Sequence, residues 1–197
     1  MTRLLIVGPQ GSGKGTQGIR IADAFGVPAI STGDVFRGAV AAGTELGQQV
    51  KAIIEAGDLV PDELTSAVVR ERLSQADAAE GFLLDGYPRN IAQVAHLDEF
   101  LEGRDEALDA VIELDVPRDE SIARIARRAA EQGRSDDTEE VIANRLAIYE
   151  RETAPILDIY RTRGIVDRID GVGTLDEITD RIIASLQARG LGRGAAA

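Results

Sequence analysis

From Arg3 to Arg20 the chain reads RLLIVGPQGSGKGTQGIR: a short apolar run, a glycine-rich turn and a helical pattern in immediate succession. Few stretches constrain a fold as tightly. Gly8, Gly13 and Lys14 stand at G-x-x-x-x-G-K spacing, and each residue type has a physical reason. The small residues Gly11, Ser12 and Gly13 let successive backbone N–H groups curl around an anion, while the helix that follows points its positive end at it. Lys14 then supplies a full charge to the outer phosphates. A second glycine pattern, G-x-G-x-x-G at Gly13, Gly15 and Gly18, begins inside the helix rather than at the strand end, so it does not make a dinucleotide site. Gly15 occupies the place where such loops usually carry a magnesium-binding Ser or Thr, and the hydroxyl comes one residue later at Thr16. Direct ligation of a metal by this loop is therefore not implied as it is in GTPases.

Strand-like apolar runs recur at Leu4 to Val7, Phe82 to Leu84, Ala110 to Leu114 and Ile165 to Ile169, with a shorter one at Ala29 to Ser31. Longer helical patterns separate them, which predicts an α/β fold: a five-stranded parallel sheet with helices on both faces. Asn90 with Gln93, and Thr174 with Glu177, read as capping boxes at helix starts. Pro61 before Asp62 and Glu63, and Pro117 before Asp119 and Glu120, read as first helical turns with acids on the dipole. Pro155 should end or kink the helix that Thr138 begins.

The 197 residues are taken as one domain, and the net charge of −12 argues against nucleic acid or an anionic membrane as the main partner. An anion site must then be built by convergence of a few cations. No stretch has the length of a membrane span, and MTRLLIV is too short for a signal-peptide core, so a cytoplasmic protein is expected. The absence of cysteine excludes disulfides and thiolate metal sites.

Two regions interrupt the strand and helix alternation. Residues 31 to 60 carry Gly33, Gly38, Gly43, Gly47 and Gly57, too many for rigid packing and suited to a movable flap. Residues 129 to 137, AAEQGRSDD, read as a short polar loop between helices, and the tail from Gly190 to residue 197 reads as disordered. Asp85 ends an apolar strand, where its carboxylate can hold magnesium through water in the manner of a Walker B acid. Arg124 and Arg128, four apart, share a helix face with the loop that carries Arg134, and Arg145 lies on the next helix. From Arg118 to Arg145 six arginines stand against seven acids, so these cations do not form a general basic patch. Surface ion pairs remain a fair account of Arg118 and Arg127. The single histidine, His96, reads as structural or solvated.

Six stretches then match one family: GPQGSGKGTQ, STGDVFR at Ser31 to Arg37, LVPDELT at Leu59 to Thr65, FLLDGYPRNIAQ at Phe82 to Gln93, GRSDDT at Gly133 to Thr138, and the NRL around Arg145. Over residues 1 to 189 the chain resembles the adenylate kinases, of the short-lid bacterial type. The resemblance implies a P-loop nucleoside monophosphate kinase fold with an AMP-binding flap at 31 to 60 and a short lid at 129 to 137. By position, Gly11, Ser12, Gly13, Lys14, Gly15 and Thr16 would hold ATP phosphates, with Arg124 and the backbone of Gly173 at the adenine. Thr32, Arg37, Asp58, Leu59, Val60, Gly86, Tyr87, Pro88, Arg89 and Gln93 would hold AMP. Lys14, Arg89, Arg128, Arg134 and Arg145 would surround the transferring phosphoryl group, with Mg²⁺ near Asp85. The implied reaction is reversible transfer from ATP to AMP, giving two ADP, by a monomer. No zinc is expected in so short a lid without cysteine. The family usually has Pro two residues after the first loop glycine, whereas here Pro9 comes one step earlier and Gln10 takes that place.

Two other readings compete. Kinases of UMP or CMP share the core, but such relatives usually carry Ala and Asn where this chain has Thr32 and Gln93. A non-catalytic nucleotide sensor would have lost part of the cation set, and none is missing.

Overall fold

The computed structural model describes residues 1–132 and 138–192, with the side chains of 128–132 excepted. The lid residue Arg134, the Arg128 side chain and the tail beyond residue 192 lie outside the described residues.

All five expected strands are present, each within two residues of its apolar run: β1 (Thr2–Val7), β2 (Ala29–Ser31), β3 (Gly81–Asp85), β4 (Ala110–Asp115) and β5 (Val166–Asp170). Every pairing is parallel, in the order β2-β3-β1-β4-β5. The helices are α1 (Lys14–Phe25), α2 (Thr32–Ala41), α3 (Glu45–Ala56), α4 (Asp62–Leu73), α5 (Ile91–Glu102), α6 (Arg118–Gln132), α7 (Glu139–Ile148), α8 (Ile156–Thr162) and α9 (Leu175–Ala188).

Because successive strand side chains point to opposite faces, the two halves of each apolar run serve two different cores. Leu5, Val7, Phe82, Leu84 and Val111 join Val69 and Leu73 of α4, Val94 and Leu97 of α5 and Ile156 and Tyr160 of α8. Leu4, Ile6, Leu83, Ile112 and Leu114 face the other way onto Ile21 and Phe25 of α1 and Ile178, Ile182 and Leu186 of α9. Each such side chain contributes roughly 1.5–3 kcal/mol by leaving water. Leu191 of the tail packs partly buried against this second core.

Residues 31 to 60 form a third cluster of their own, with Phe36 of α2 and Val50 of α3 against Val60. At least one glycine here serves close packing rather than looseness. A Cβ on Gly47 would lie 2.1 Å from the Ala39 carbonyl oxygen, so only glycine lets α3 approach α2 this closely.

Two boundaries differ from expectation. Helix α6 continues to Gln132, past the start of the segment read as loop. Ahead of Pro155 the helix does not simply stop: Tyr149–Thr153 widens into a π-turn, with the Ala154 N–H donating to the Tyr149 carbonyl at 2.7 Å, and α8 restarts after Pro155. Proline has no N–H to offer and its ring crowds the preceding turn, so the ladder loosens before it.

The register settles where the chemistry lies. Ile6 and Ser31 both pair with Asp85, which brings the end of β1, the end of β2 and this carboxylate to one edge of the sheet. Ligands of open parallel sheets bind outside that edge.

Candidate active site

One crevice of about 1390 Å³ runs along this edge, from Leu175 and Gly173 at one end to Val60 and Gln93 at the other. A single small molecule usually occupies roughly 300–1,000 Å³, so two ligands fit end to end.

The first end is built from backbone. Gly11 has φ +82°, and a Cβ there would stand 2.4 Å from the Ser121 carbonyl oxygen, so no other residue can make this turn against α6. Gly13 also turns through positive φ, and α1 begins at Lys14, leaving its first N–H groups aimed at the loop. Lys14 Nζ donates to the Pro9 carbonyl at 3.3 Å, which folds the side chain back over the turn. Gly11, Gly13, Lys14, Gly15 and Thr16 line the crevice, whereas Ser12 is buried behind it.

Arg124 acts as a clamp on this end. Its Nε donates to Glu120 at 2.7 Å, and its two terminal nitrogens donate to the carbonyls of Ser12 at 3.2 Å and Gly171 at 2.9 Å. The guanidinium therefore joins the phosphate loop to the turn that carries Gly173. Gln17 makes a second tie: it donates to the Leu175 carbonyl at 3.0 Å and accepts from Thr179 at 2.8 Å. Nothing in its spacing marked it beyond membership of the loop motif. Arg127, read as a surface ion-pair residue, is exposed and also lines the crevice beside Arg124. Arg118 does make an exposed pair, with Glu150 at 2.7 Å.

The second end is built from side chains. Arg89 is held at three points: its Nε donates to the Gly86 carbonyl at 2.7 Å, its N–H to Gln93 Oε1 at 2.8 Å, and its carbonyl accepts from Thr153 Oγ1 at 2.8 Å. Thr32 donates to the same Gly86 carbonyl at 2.8 Å, and Arg37 pairs with Asp34 at 2.7 Å. Leu59, Val60, Pro88 and Gln93 complete the wall with Asp58, whose carboxylate accepts from Asn144 of α7 at 2.9 Å. Arg145, next to Asn144, also lines the crevice. Tyr87 does not: it is buried behind Gln93, with its hydroxyl on Ser66 at 2.9 Å and on the Gln93 carbonyl at 3.2 Å. His96 meets the same Ser66 through Nδ1 at 2.9 Å, within the fold and away from the crevice wall.

Gln93 departs from a plain capping box. Asn90 accepts from the Gln93 N–H at 2.9 Å as expected, but the Gln93 amide reaches Arg89 and Asp62 instead of the Asn90 backbone. Helix α9 closes its box in full.

Between the two ends lies Asp85. Burial pushes its carboxyl above the usual range, opposed by Lys14 and then Arg89. Burial likewise pushes Arg89 down; Asp85 pulls it back up, while Arg145 and Arg37 add like-charge repulsion. Several cations thus converge around one carboxylate, an arrangement completed by polyanions. Asp85 Oδ1 is buried and makes no hydrogen bond among the described residues. Such an orphaned hard oxygen, beside Gly15 where a Cβ would lie 3.5 Å from Oδ2, fits a hydrated divalent cation. Among the described residues no three His, Cys, Asp or Glu side chains gather as a metal centre of their own.

Comparison with known proteins agrees with this geometry. A family model described as "Adenylate kinase" matches residues 6–165. An adenylate kinase of Clavibacter michiganensis subsp. michiganensis is 57% identical over 191 residues, covering 97% of this chain and 96% of the relative. One from Leifsonia xyli subsp. xyli is 54% identical over 188 residues, covering 95% and 94%, and one from Kocuria rhizophila is 53% identical over 187 residues, covering 95% and 100%.

Proposed function

The chain belongs to the adenylate kinase family, a group of P-loop nucleoside monophosphate kinases, and from that premise we propose how its residues divide the transfer of a phosphoryl group between ATP and AMP. It is an ATP:AMP phosphotransferase. The observation that carries the assignment of residues is the single two-ligand crevice, with a phosphate loop at one end, a tethered arginine at the other and Asp85 between them.

ATP takes the backbone-built end. The N–H groups of residues 11 to 16 and Lys14 hold its phosphates, and Arg124 with the Gly173 backbone holds the adenine. AMP takes the other end, with its phosphate at Arg89 and Arg37 and its base against Thr32, Leu59, Val60 and Gln93. The AMP phosphate needs no catalytic base, because the second pKa of a phosphomonoester is about 6 and the nucleophile is already largely ionised near neutral pH. The protein's task is alignment and neutralisation of moving charge, carried by Lys14, Arg89 and Arg145. On the family resemblance, Arg128 and Arg134 join them. Asp85 would hold Mg²⁺ through water, and the ion would supply charge to offset that of the donor phosphates.

Water is the competing acceptor. Residues 31 to 60, a flap with its own small core, would close over AMP against α7, where Asn144 already donates to the Ala56 carbonyl at 3.0 Å. The resemblance to the short-lid bacterial relatives supports a monomer, and the adenine nucleotides it uses support a cytoplasmic protein.

The deciding experiment is a matrix of donors (ATP, GTP) against acceptors (AMP, CMP, UMP), with and without Mg²⁺. The expected result is Mg²⁺-dependent turnover highest for ATP with AMP. Equal rates with AMP and CMP at low concentration would overturn the assignment of Thr32 and Gln93 to base recognition.

A further inference from the structure

Asp62 stands outside the crevice wall, in the first turn of α4, yet it governs a residue within that wall. Its Oδ1 accepts from Gln93 Nε2 at 2.7 Å and from Asn90 Nδ2 at 2.9 Å. The opposite end of the same amide, Gln93 Oε1, accepts from the Arg89 N–H at 2.8 Å. A carboxylate can only accept and a backbone N–H can only donate, so both neighbours demand the same orientation: nitrogen toward Asp62, oxygen toward Arg89. Gln93 is 1% exposed, and a flipped amide would set like against like at both contacts.

An amide has two acceptor sites and two donors. After these contacts one lone pair and one N–H remain, in a fixed order. A 6-aminopurine offers an exocyclic N–H donor beside a ring-nitrogen acceptor, which matches that order. A 6-oxopurine offers a carbonyl acceptor beside a ring N–H, the reverse.

We propose that Asp62 is a positioning residue that locks the polarity of the Gln93 amide, and so makes the acceptor pocket choose 6-aminopurine over 6-oxopurine nucleoside monophosphates. The inference rests on Gln93 meeting the acceptor base, as assigned above. Asn90 steadies the lock by holding the same carboxylate oxygen.

The test compares AMP with IMP as acceptor, ATP being the donor, in wild type, Asp62→Asn and Asp62→Ser. An Asn amide or a Ser hydroxyl can turn either a donor or an acceptor toward Gln93, which frees the flip from that side. The AMP to IMP ratio of kcat/KM should fall by about ten-fold or more in both variants, with KM for ATP unchanged. Equal losses for the two acceptors, with the ratio kept, would overturn the proposal and leave Asp62 as a helix-terminus carboxylate. A wild type that phosphorylates AMP and IMP alike would instead overturn the reading of Gln93, and that failure shows before any substitution. Should Asp62→Asn melt too low to assay, the Ser variant carries the test, since Ser is well tolerated at a helix start.

Discussion

At the start of α9, Thr174 and Glu177 close a capping box: Glu177 accepts from the Thr174 N–H at 2.8 Å and Thr174 from the Glu177 N–H at 3.3 Å. At the start of α5, Asn90 and Gln93 have the same spacing but make only half of it, and the Gln93 amide turns to Arg89 and Asp62. The two helix starts flank opposite ends of one crevice. Glu177 is exposed, and its carboxylate takes both the N–H and the hydroxyl of its own cap residue, Thr174; Gln93 is buried among polar groups that need partners, and the network outbids the cap. The whole site divides along that line. The end proposed for the donor takes its shape from the backbone of one contiguous loop, whereas the end proposed for the acceptor is a web of side chains drawn from α4, α5, α7 and the π-turn.

The largest effects should come from the charges at either end. Lys14→Met and Arg89→Ala should each lower kcat by about 10²–10³-fold or more, the scale of losing one preorganised charge on the transition state. They should part in binding: Lys14→Met weakens ATP, while Arg89→Ala weakens AMP. Initial rates and nucleotide titrations check both, and near-normal turnover in either variant would remove that residue from the reacting set.

Next in size is a swap that treats the two helix starts alike. Gln93→Glu restores the ordinary capping-box residue, but it sets a second carboxylate 2.7 Å from Asp62. Two charges at that range in a half-buried site cost roughly 2–4 kcal/mol, so the variant should melt lower than wild type at neutral pH and recover toward it in acid, as one carboxyl takes a proton. A variant as stable as wild type at pH 7 would mean that the α5 start is an ordinary cap after all.

The same division decides what could be read without coordinates. The five strands, the phosphate loop and Asp85 follow from local rules, because hydrophobic runs, glycine spacing and a strand-ending carboxylate act within a few residues. The acceptor web joins residues far apart. Asp62 meets Gln93 across 31 positions and Thr153 meets Arg89 across 64, so their partnership exists only once α4, α5 and the π-turn have docked on the sheet. Asp62 could be read as an acid on a helix dipole, not as a partner of Gln93. Pro155 announced a break, yet the break's consequence, Thr153 turned toward the Arg89 carbonyl, has no local signature. Arg127 is exposed, as its reading as a surface residue expects, but charge spacing on a helix does not say that the same face lines the crevice.

That docking yields a smaller test on the acceptor side. Thr153→Val keeps the shape and removes the hydroxyl that donates to the Arg89 carbonyl at 2.8 Å, leaving a part-buried acceptor unpaired. The cost is about 1 kcal/mol, seen as a several-fold rise in KM for AMP with KM for ATP unchanged. Thr153→Ser should restore the wild-type value. Equal shifts for both nucleotides, or no rescue by Ser, would make Thr153 a general packing residue rather than a support for Arg89.

The smallest effect belongs to the closed box of α9, and its pH dependence carries the sign opposite to that of Gln93→Glu. The Thr174 N–H, and then the Thr174 hydroxyl, hold the Glu177 carboxyl below its ordinary value of 4.5. The folded protein therefore releases this proton more readily than the unfolded chain. Stability from the contact is complete above the unfolded value and is lost as pH falls through the lowered folded one. Glu177→Gln keeps an acceptor oxygen but gives up the charge, so wild type should melt slightly higher near neutral pH and the two curves should meet in acid. The carboxylate is exposed, so solvent and salt screen the gain, and added salt should shrink the difference further. Thermal melts of the pair between about pH 3 and pH 8 check it. A gap that widened toward acid would mean that the α9 start, like that of α5, answers to a partner other than its own backbone.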